Sequence, residues 1–114
     1  MKVHYLEIVT PEAEALCKQY SEVHGATFSE PEVGLGGARV AELDGGCTLG
    51  IRAPMHDMET PAVRPYVLVT DIKASVESAS EAGAKVAVPP MEIPNRGMCA
   101  IVMHGGIECG LWQI

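Results

Sequence analysis

The stretch GGCTLGIR at residues 45–52 is matched in outline by GGIECGLW at residues 105–112, so that the chain resembles itself at an offset of 60 residues. Further pairs in or near this register are Val9-Thr10 with Val69-Thr70, Gly25-Ala26 with Gly83-Ala84, and Gly50 with Gly110. A fixed internal period indicates a duplicated structural unit. The sequence is therefore predicted to contain two copies of one module.

The first copy is predicted to be a strand, a helix and three further strands. Residues 3–9 (VHYLEIV) favour a strand, and Thr10-Pro11 favours the start of an amphipathic helix that ends at Gly25. The three later strands are predicted in ATFSEPEV (26–33), ARVAEL (38–43) and CTLGIRA (47–53). Module one is thus predicted to be a βαβββ unit.

The second copy repeats this order of elements. Residues 66–70 favour a strand, Asp71 a helix cap and Gly83 a helix end. Strands are predicted in KVAV (85–88), MCAIVM (98–103) and IECGLWQI (107–114), the first two separated by the loop PPMEIPNRG. We predict an α+β fold in one domain, with modules at about 1–57 and 63–114. Two such modules are expected to form a cupped mixed sheet of about eight strands with a ligand-binding concave surface.

Composition excludes several classes of function. The chain has 114 residues, 47% of them hydrophobic, and a net charge of −7, so nucleic acid and anionic membranes are poor partners. No apolar run reaches the length of a membrane span, and no signal peptide is evident, which favours a cytoplasmic protein. The four cysteines are Cys17, Cys47, Cys99 and Cys109, and their spacing suggests neither a zinc site nor a disulfide framework.

The chain carries a family resemblance over essentially its whole length, and the second half is its more specific part. Residues 64–114, with an acidic helix cap, a Gly-Ala pair, a Val-Pro-Pro loop and a closing Gly-Leu-Trp, resemble glyoxalase-like domains of the vicinal oxygen chelate superfamily. That superfamily includes glyoxalase I, extradiol dioxygenases and bleomycin-resistance proteins. The resemblance implies paired βαβββ modules and a divalent metal held by side chains from the first and last strand of each module.

The four implied metal-ligand positions do not carry a ligand set. Counting back seven residues from the predicted first helix gives His4, a suitable ligand. The other positions fall on Gly50, on Pro65 beside Arg64, and on Gly110. One imidazole cannot hold a catalytic divalent ion, so no metal and no cofactor are predicted.

The same strands supply candidate binding residues. His4 is either a general base or a hydrogen-bonded structural histidine. By strand alternation Arg52 and Trp112 share a face with Gly50 and Gly110, and are predicted to bind an anionic or aromatic ligand. The alternative is that Arg52 pairs with an acid at the rim and Trp112 is core. The two glycines mark either bends in the strands or space for a ligand.

Acidic residues complete the candidate set. Glu108 shares the face of Gly110 and is either the partner of Arg52 or a general base. Glu7 has the opposite parity to His4 and is predicted to meet a backbone group or solvent. The segment HDMET (56–60) is predicted to be solvated rather than metal-binding.

Three functions are compatible with these residues. The first is a metal-free domain that binds a small anionic or aromatic molecule and sequesters it or acts on it through His4. The second is a metal-dependent lyase or dioxygenase with unusual ligands, and the third an accessory dimerising domain. A twofold homodimer is expected. Replacing Arg52 with Ala is expected to have little effect on folding.

Overall fold

The computed structural model describes every residue, Met1–Ile114. The chain forms two compact units, and the names module one and module two are kept for them: Tyr5–Val63 is module one, and Met1–His4 together with Arg64–Ile114 is module two. The first four residues thus belong to the second unit, where the Lys2 carbonyl accepts a hydrogen bond from the Leu68 amide at 2.8 Å. None of the helices combines the length and the hydropathy needed to cross a membrane.

Module one has a small mixed sheet covered on one face by a helix. Its elements are β1 (Val3–Val9, in module one from Tyr5 onwards), α1 (Ala13–His24), a 3-10 helix (Val33–Leu35), β2 (Arg39–Glu42) and β3 (Thr48–Arg52). The central strand is β3, which pairs with β1 in parallel and with β2 in antiparallel orientation. Leu6 and Ile8 of β1 pack against Cys17 of α1. Residues that alternate with these two therefore point to the other face of the sheet.

The strand predicted at residues 26–33 is wrong. This segment runs beside β2 and joins it only at two points: the Ser29 amide donates to the Val40 carbonyl at 2.8 Å, and Glu32 forms a single bridge with Ala38. Between these contacts Pro31 has no N–H to add to a ladder. Module one is therefore a βαββ unit, and the chain has seven strands instead of about eight.

Helix α1 begins later than the sequence suggested. The Thr10 hydroxyl accepts a hydrogen bond from the Glu12 amide at 3.2 Å, which closes a turn before the helix. The N-cap residue is Glu12 and the first helical residue is Ala13. The predicted end is confirmed: Gly25 has a φ of 70° and its amide donates to the Ser21 carbonyl. A left-handed φ of this kind favours glycine.

Module two is the complete βαβββ unit. Its elements are β4 (Ala62–Leu68, in module two from Arg64 onwards), α2 (Ile72–Glu81), β5 (Lys85–Ile93), β6 (Gly97–His104) and β7 (Ile107–Gln113). The strand order is β4-β7-β6-β5, with β4 parallel to β7 and the other neighbours antiparallel. Much of the predicted Pro-rich loop belongs to β5, whose pairing shifts register after Val86 and again after Val88. Prolines are tolerated there because β5 is an edge strand of this module's sheet.

Helix α2 determines which side chains of module two face away from it. Asp71 caps the helix as predicted, accepting a hydrogen bond from the Ala74 amide at 3.1 Å. Ile72 and Val76 of α2 pack in one cluster with Leu111 of β7. Because side chains alternate along a strand, Gly110 and Trp112 point to the opposite face.

Candidate functional site

Each module presents one sheet face that is turned away from its own helix. The module-one face carries Tyr5 and Glu7 of β1 and Gly50 and Arg52 of β3. The module-two face carries Arg64 and Tyr66 of β4, Glu108, Gly110 and Trp112 of β7, and His4. These two faces contain every candidate site residue predicted from the sequence.

A tyrosine covers the central glycine on both faces. A Cβ atom at Gly50 would overlap the hydroxyl of Tyr5, and one at Gly110 would overlap the ring of Tyr66. Glycine is required at both positions because the aromatic side chain lies directly against the backbone. The space left by the missing side chains is thus filled by the protein itself.

The later start of α1 changes the assignment of the metal-ligand position on β1. Counting seven residues back from the observed first helical residues, Ala13 and Ile72, gives Leu6 in place of His4 and leaves Pro65 unchanged. Together with Gly50 and Gly110, these positions offer no imidazole or carboxylate. No three His, Cys, Asp or Glu residues of the chain are grouped so that they could hold a metal ion. The residues therefore do not fit the divalent metal that the resemblance implies.

Arg52 is the centre of a buried ionic cluster on module one. Its Nε donates to Glu7 at 2.9 Å, and its Nη1 and Nη2 donate to the two carboxylate oxygens of Glu59 at 2.8 and 2.7 Å. Nη1 also donates to the Ala53 carbonyl at 3.2 Å. Only 4% of the Arg52 side chain and 8% of the Glu7 side chain are exposed. The planar guanidinium is thus bonded on two sides by carboxylates.

These contacts shift the ionisation of both partners. The hydrogen bond from Arg52, assisted by one from the Met55 amide, lowers the pKa of Glu59 to about 2. The carboxylate of Glu59 in turn raises the pKa of Arg52, and Glu7 adds to that effect. Arg52 and Glu59 are therefore both charged near neutral pH.

The sequence-based expectations for this cluster need correction. Arg52 is not paired with Glu108, and Glu7 meets Arg52 instead of a backbone group or solvent. Glu59, predicted to be solvated, is a main partner of Arg52. The alternative that Arg52 pairs with an acid agrees with the structure, but the ion pairs are buried and do not lie at a rim.

Glu108 is the partner of Arg64 on module two. A single carboxylate oxygen, Oε2, accepts from Nε and Nη2 of Arg64 at 3.1 and 3.0 Å. The Arg64 side chain is 9% exposed, whereas that of Glu108 is 40% exposed. A buried cation therefore orients a carboxylate whose second oxygen, Oε1, is directed to no donor of the protein.

Three aromatic rings lie on the same module-two face as this ion pair. Trp112 is buried, and its Nε1 donates to the Arg96 carbonyl at 2.9 Å. Its ring centroid lies 5.6 Å from that of Tyr66, edge to face, and 5.6 Å from that of the half-buried His4. Trp112 thus has the packing of a core residue, with the imidazole of His4 next to it.

The cysteines are free thiols in the structure. Cys17 and Cys99 are buried, Cys47 is half-buried and Cys109 is exposed. Burial raises the pKa of the Cys17 thiol, with the Glu14 carboxylate adding to the effect. An unreactive, apolar role of this kind is common for buried cysteines.

Comparison with solved structures identifies the fold. No family model and no curated protein matches the sequence. The methylmalonyl-CoA epimerase of Mycobacterium tuberculosis has a TM-score of 0.77 at 12% identity, over 97% of this chain and 86% of that one. A hypothetical protein from Bacillus halodurans has a TM-score of 0.75 at 12% identity, over 99% and 94%. A variant Streptomyces coelicolor methylmalonyl-CoA epimerase in complex with 2-nitronate-propionyl-CoA has a TM-score of 0.69 at 15% identity, over 99% and 96%.

The epimerases among these structures have the vicinal oxygen chelate fold. The fold and the α+β class predicted from the sequence are therefore confirmed. Sequence identities of 12 to 15% establish the fold alone, and the activity of a neighbour does not follow from it.

Proposed function

We propose that this chain is a small-molecule-binding domain whose ligand contacts the module-two face. The observation that carries the proposal is the Glu108 carboxylate, held through one oxygen by buried Arg64 and open through the other. Fixing a carboxylate in advance lowers the entropy that a ligand loses on hydrogen bonding to it. The binding site thus combines an oriented acceptor at one end with the partly exposed imidazole of His4 at the other.

The geometry of β7 indicates the shape of the ligand. Glu108 and Trp112 are four residues apart on one strand, which corresponds to about 13 Å. A ligand that reaches both Glu108 and the His4 ring against Trp112 must therefore be elongated. It should carry a hydrogen-bond donor for Glu108 and a planar or apolar group for His4.

Charge favours such a ligand over an anion bound by Arg52. All three nitrogens of the Arg52 guanidinium donate to groups of the protein, and its charge is outweighed by two carboxylates. Arg64 is balanced by Glu108. Neither buried arginine supplies an uncompensated positive charge for an anion, so an anionic group on the ligand is better placed in solvent.

The structural neighbours suggest an elongated class to test first. One methylmalonyl-CoA epimerase of this fold was solved with methylmalonyl-CoA, and others with 2-nitronate-propionyl-CoA. We propose an acyl thioester of this general kind as the first probe, with the amide N–H groups of its pantetheine arm as the donors to Glu108 and its anionic groups in solvent.

The single tryptophan makes the proposal directly measurable, since all indole emission comes from Trp112. Titration with methylmalonyl-CoA is expected to change this emission saturably, and the variant E108Q to weaken the apparent affinity at least tenfold. The matched control E81Q, an exposed position on α2, should leave affinity unchanged. Native mass spectrometry of protein purified from its host identifies any retained ligand of another class. Absence of both a retained molecule and an emission change would contradict the proposal.

A twofold homodimer remains a separate proposal. Its support within module two is the edge strand β5, on which Val86 and Met91 are 42% and 48% exposed. Exposed apolar edge strands favour association with another chain. Light scattering at tens of micromolar should give twice the 12.1 kDa chain mass, and a monomer mass would contradict it.

A further inference from the structure

Lys85 is an unpaired cation on the module-two face. In the pairing of β5 with β6 it lies opposite Met103, and in the pairing of β6 with β7 Met103 lies opposite Glu108. Residues directly opposite each other on antiparallel strands project to the same side of the sheet. Lys85 is exposed, and its ammonium group forms no hydrogen bond or ion pair within the chain. Lys85 and Glu108 therefore share one face of module two.

The position of Lys85 extends the path of an elongated ligand. Neighbouring strands lie about 4.8 Å apart, so the Cα atoms of Lys85 and Glu108 are separated by about 10 Å across β6. The half-buried Met103 lies between them and supplies an apolar surface. A ligand that follows β7 from Trp112 to Glu108 thus reaches Lys85 by crossing a single strand.

The charge at this end of the face favours an anion. Arg64 and Glu108 balance each other in an ion pair, so Lys85 adds one uncompensated positive charge beside them. The whole chain, in contrast, has a net charge of −7. A local positive charge on an acidic protein attracts anions to that position. Lysine is a common partner of phosphate groups, which it binds as a point charge.

We propose that Lys85 binds the phosphate groups of an acyl-CoA thioester and thereby fixes the direction in which the ligand lies on the module-two face. In such a molecule the pantetheine arm lies between the acyl group and the phosphates, just as Glu108 lies between Trp112 and Lys85. The acyl group is then placed against His4 and Trp112, and the pantetheine amides at Glu108. This inference rests on the proposed function and adds the orientation of the ligand to it.

A charge reversal at Lys85 tests this orientation in the full chain. Trp112 emission is titrated with methylmalonyl-CoA and with methylmalonyl-pantetheine, which lacks the phosphates. Lys85→Glu should weaken the affinity for methylmalonyl-CoA at least fivefold and leave the affinity for methylmalonyl-pantetheine within twofold of the wild type. The matched control is Lys73→Glu, which changes the net charge equally at an exposed position on α2. It should bind both thioesters within twofold of the wild type.

The outcomes separate this inference from the proposed function. Equal affinities of Lys85→Glu and Lys73→Glu for methylmalonyl-CoA, together with a loss in E108Q, would overturn the orientation and leave the binding site at Glu108 in place. An equal loss for both thioesters in Lys85→Glu would also overturn it, because the lost contact would not involve the phosphates. Failure of the wild-type protein to bind either thioester would overturn the orientation together with the choice of an acyl thioester as ligand.

Discussion

The two modules place different chemistry at equivalent positions of the same scaffold. Each has a glycine in its last strand that is covered by a tyrosine, Gly50 by Tyr5 and Gly110 by Tyr66. In module one the buried arginine is bonded to two carboxylates and is closed to other groups. In module two the buried arginine holds one half-exposed carboxylate, and an aromatic cluster lies on the same face.

The two buried arginines therefore differ in the property that their ion pairs affect, protein stability in module one and ligand binding in module two. Removing one partner of a buried ion pair costs several kcal/mol, because the remaining charge is left buried without its counter-ion. A half-exposed carboxylate contributes little to stability but remains available to a ligand. The duplicated fold thus uses the module-one face as structure and, in our proposal, the module-two face for recognition.

The largest effect is expected at Arg52. Replacing it with Ala removes the cation that binds the carboxylates of buried Glu7 and half-buried Glu59, which should lower the free energy of unfolding by about 3–5 kcal/mol. The small effect that the sequence suggested is not expected from this geometry. Urea denaturation compares the stability of this variant with that of Arg39→Ala. The partner of Arg39, Glu14, is exposed, so Arg39→Ala should cost about 1 kcal/mol or less. Equal losses for the two variants would remove the basis of the comparison.

Replacing either covered glycine with alanine should destabilise the protein to a similar extent. Removing the tyrosine hydroxyl should recover stability at only one of the two positions. Gly50→Ala and Gly110→Ala should each cost about 1–3 kcal/mol through overpacking. At Gly50 the nearest obstructing atom is the Tyr5 hydroxyl, so adding Tyr5→Phe should recover part of the loss. At Gly110 the obstructing atoms belong to the ring, so Tyr66→Phe should recover none. Thermal unfolding of the double variants measures both, and equal recovery would show that the contacts are misassigned.

Acid should weaken the module-one cluster selectively. The folded-state pKa of Glu59, about 2, lies below the value of about 4.3 for an unfolded glutamate. The stability it contributes is therefore complete above pH 4.3 and is lost as the pH falls towards 2. At pH 7 the variant Glu59→Gln should be less stable than the wild type by about 2 kcal/mol. Denaturation curves from pH 7 to pH 3 should show this gap narrowing, and a constant gap would exclude the carboxylate charge as its cause.

The smallest effect on stability is expected at Glu108. The variant Glu108→Gln keeps the shape and an acceptor oxygen beside Arg64, and the original side chain is 40% exposed. The free energy of unfolding should therefore change by about 1 kcal/mol or less. Urea denaturation provides the check. A loss of unfolding free energy as large as that of Arg52→Ala would show that both faces contribute equally to stability.

The repeated glycines allowed the fold to be predicted, because a strand glycine under a tyrosine is a structural requirement in both modules. The missing strand at residues 26–33 could not be recognised from composition, since Phe28 and Val33 favour a strand and only the pairing with β2 reveals the interruption at Pro31. The error at Glu7 had an available signal. Assigning Leu6 and Ile8 to the apolar face of α1 would have placed Glu7 beside Gly50.

Glu59 shows what sequence spacing cannot supply. Glu59 lies seven residues after Arg52, in the Pro-bounded loop that follows β3. Its contact with Arg52 therefore depends on how this loop folds. Segments of this composition are usually solvated, and the buried cation that holds Glu59 becomes apparent only in three dimensions. The same is true of Arg64, whose burial beside Glu108 follows from the parallel pairing of β4 with β7.

The central claim is that stability and binding reside on different faces, and one paired measurement tests it most directly. Trp112 emission is titrated with methylmalonyl-CoA in Glu59→Gln and Glu108→Gln, and the stability of each variant is determined in the same buffer. The account predicts that Glu59→Gln loses stability and keeps the wild-type affinity, whereas Glu108→Gln keeps stability and loses affinity at least tenfold. The reverse pattern, or a common loss of both properties, would contradict it.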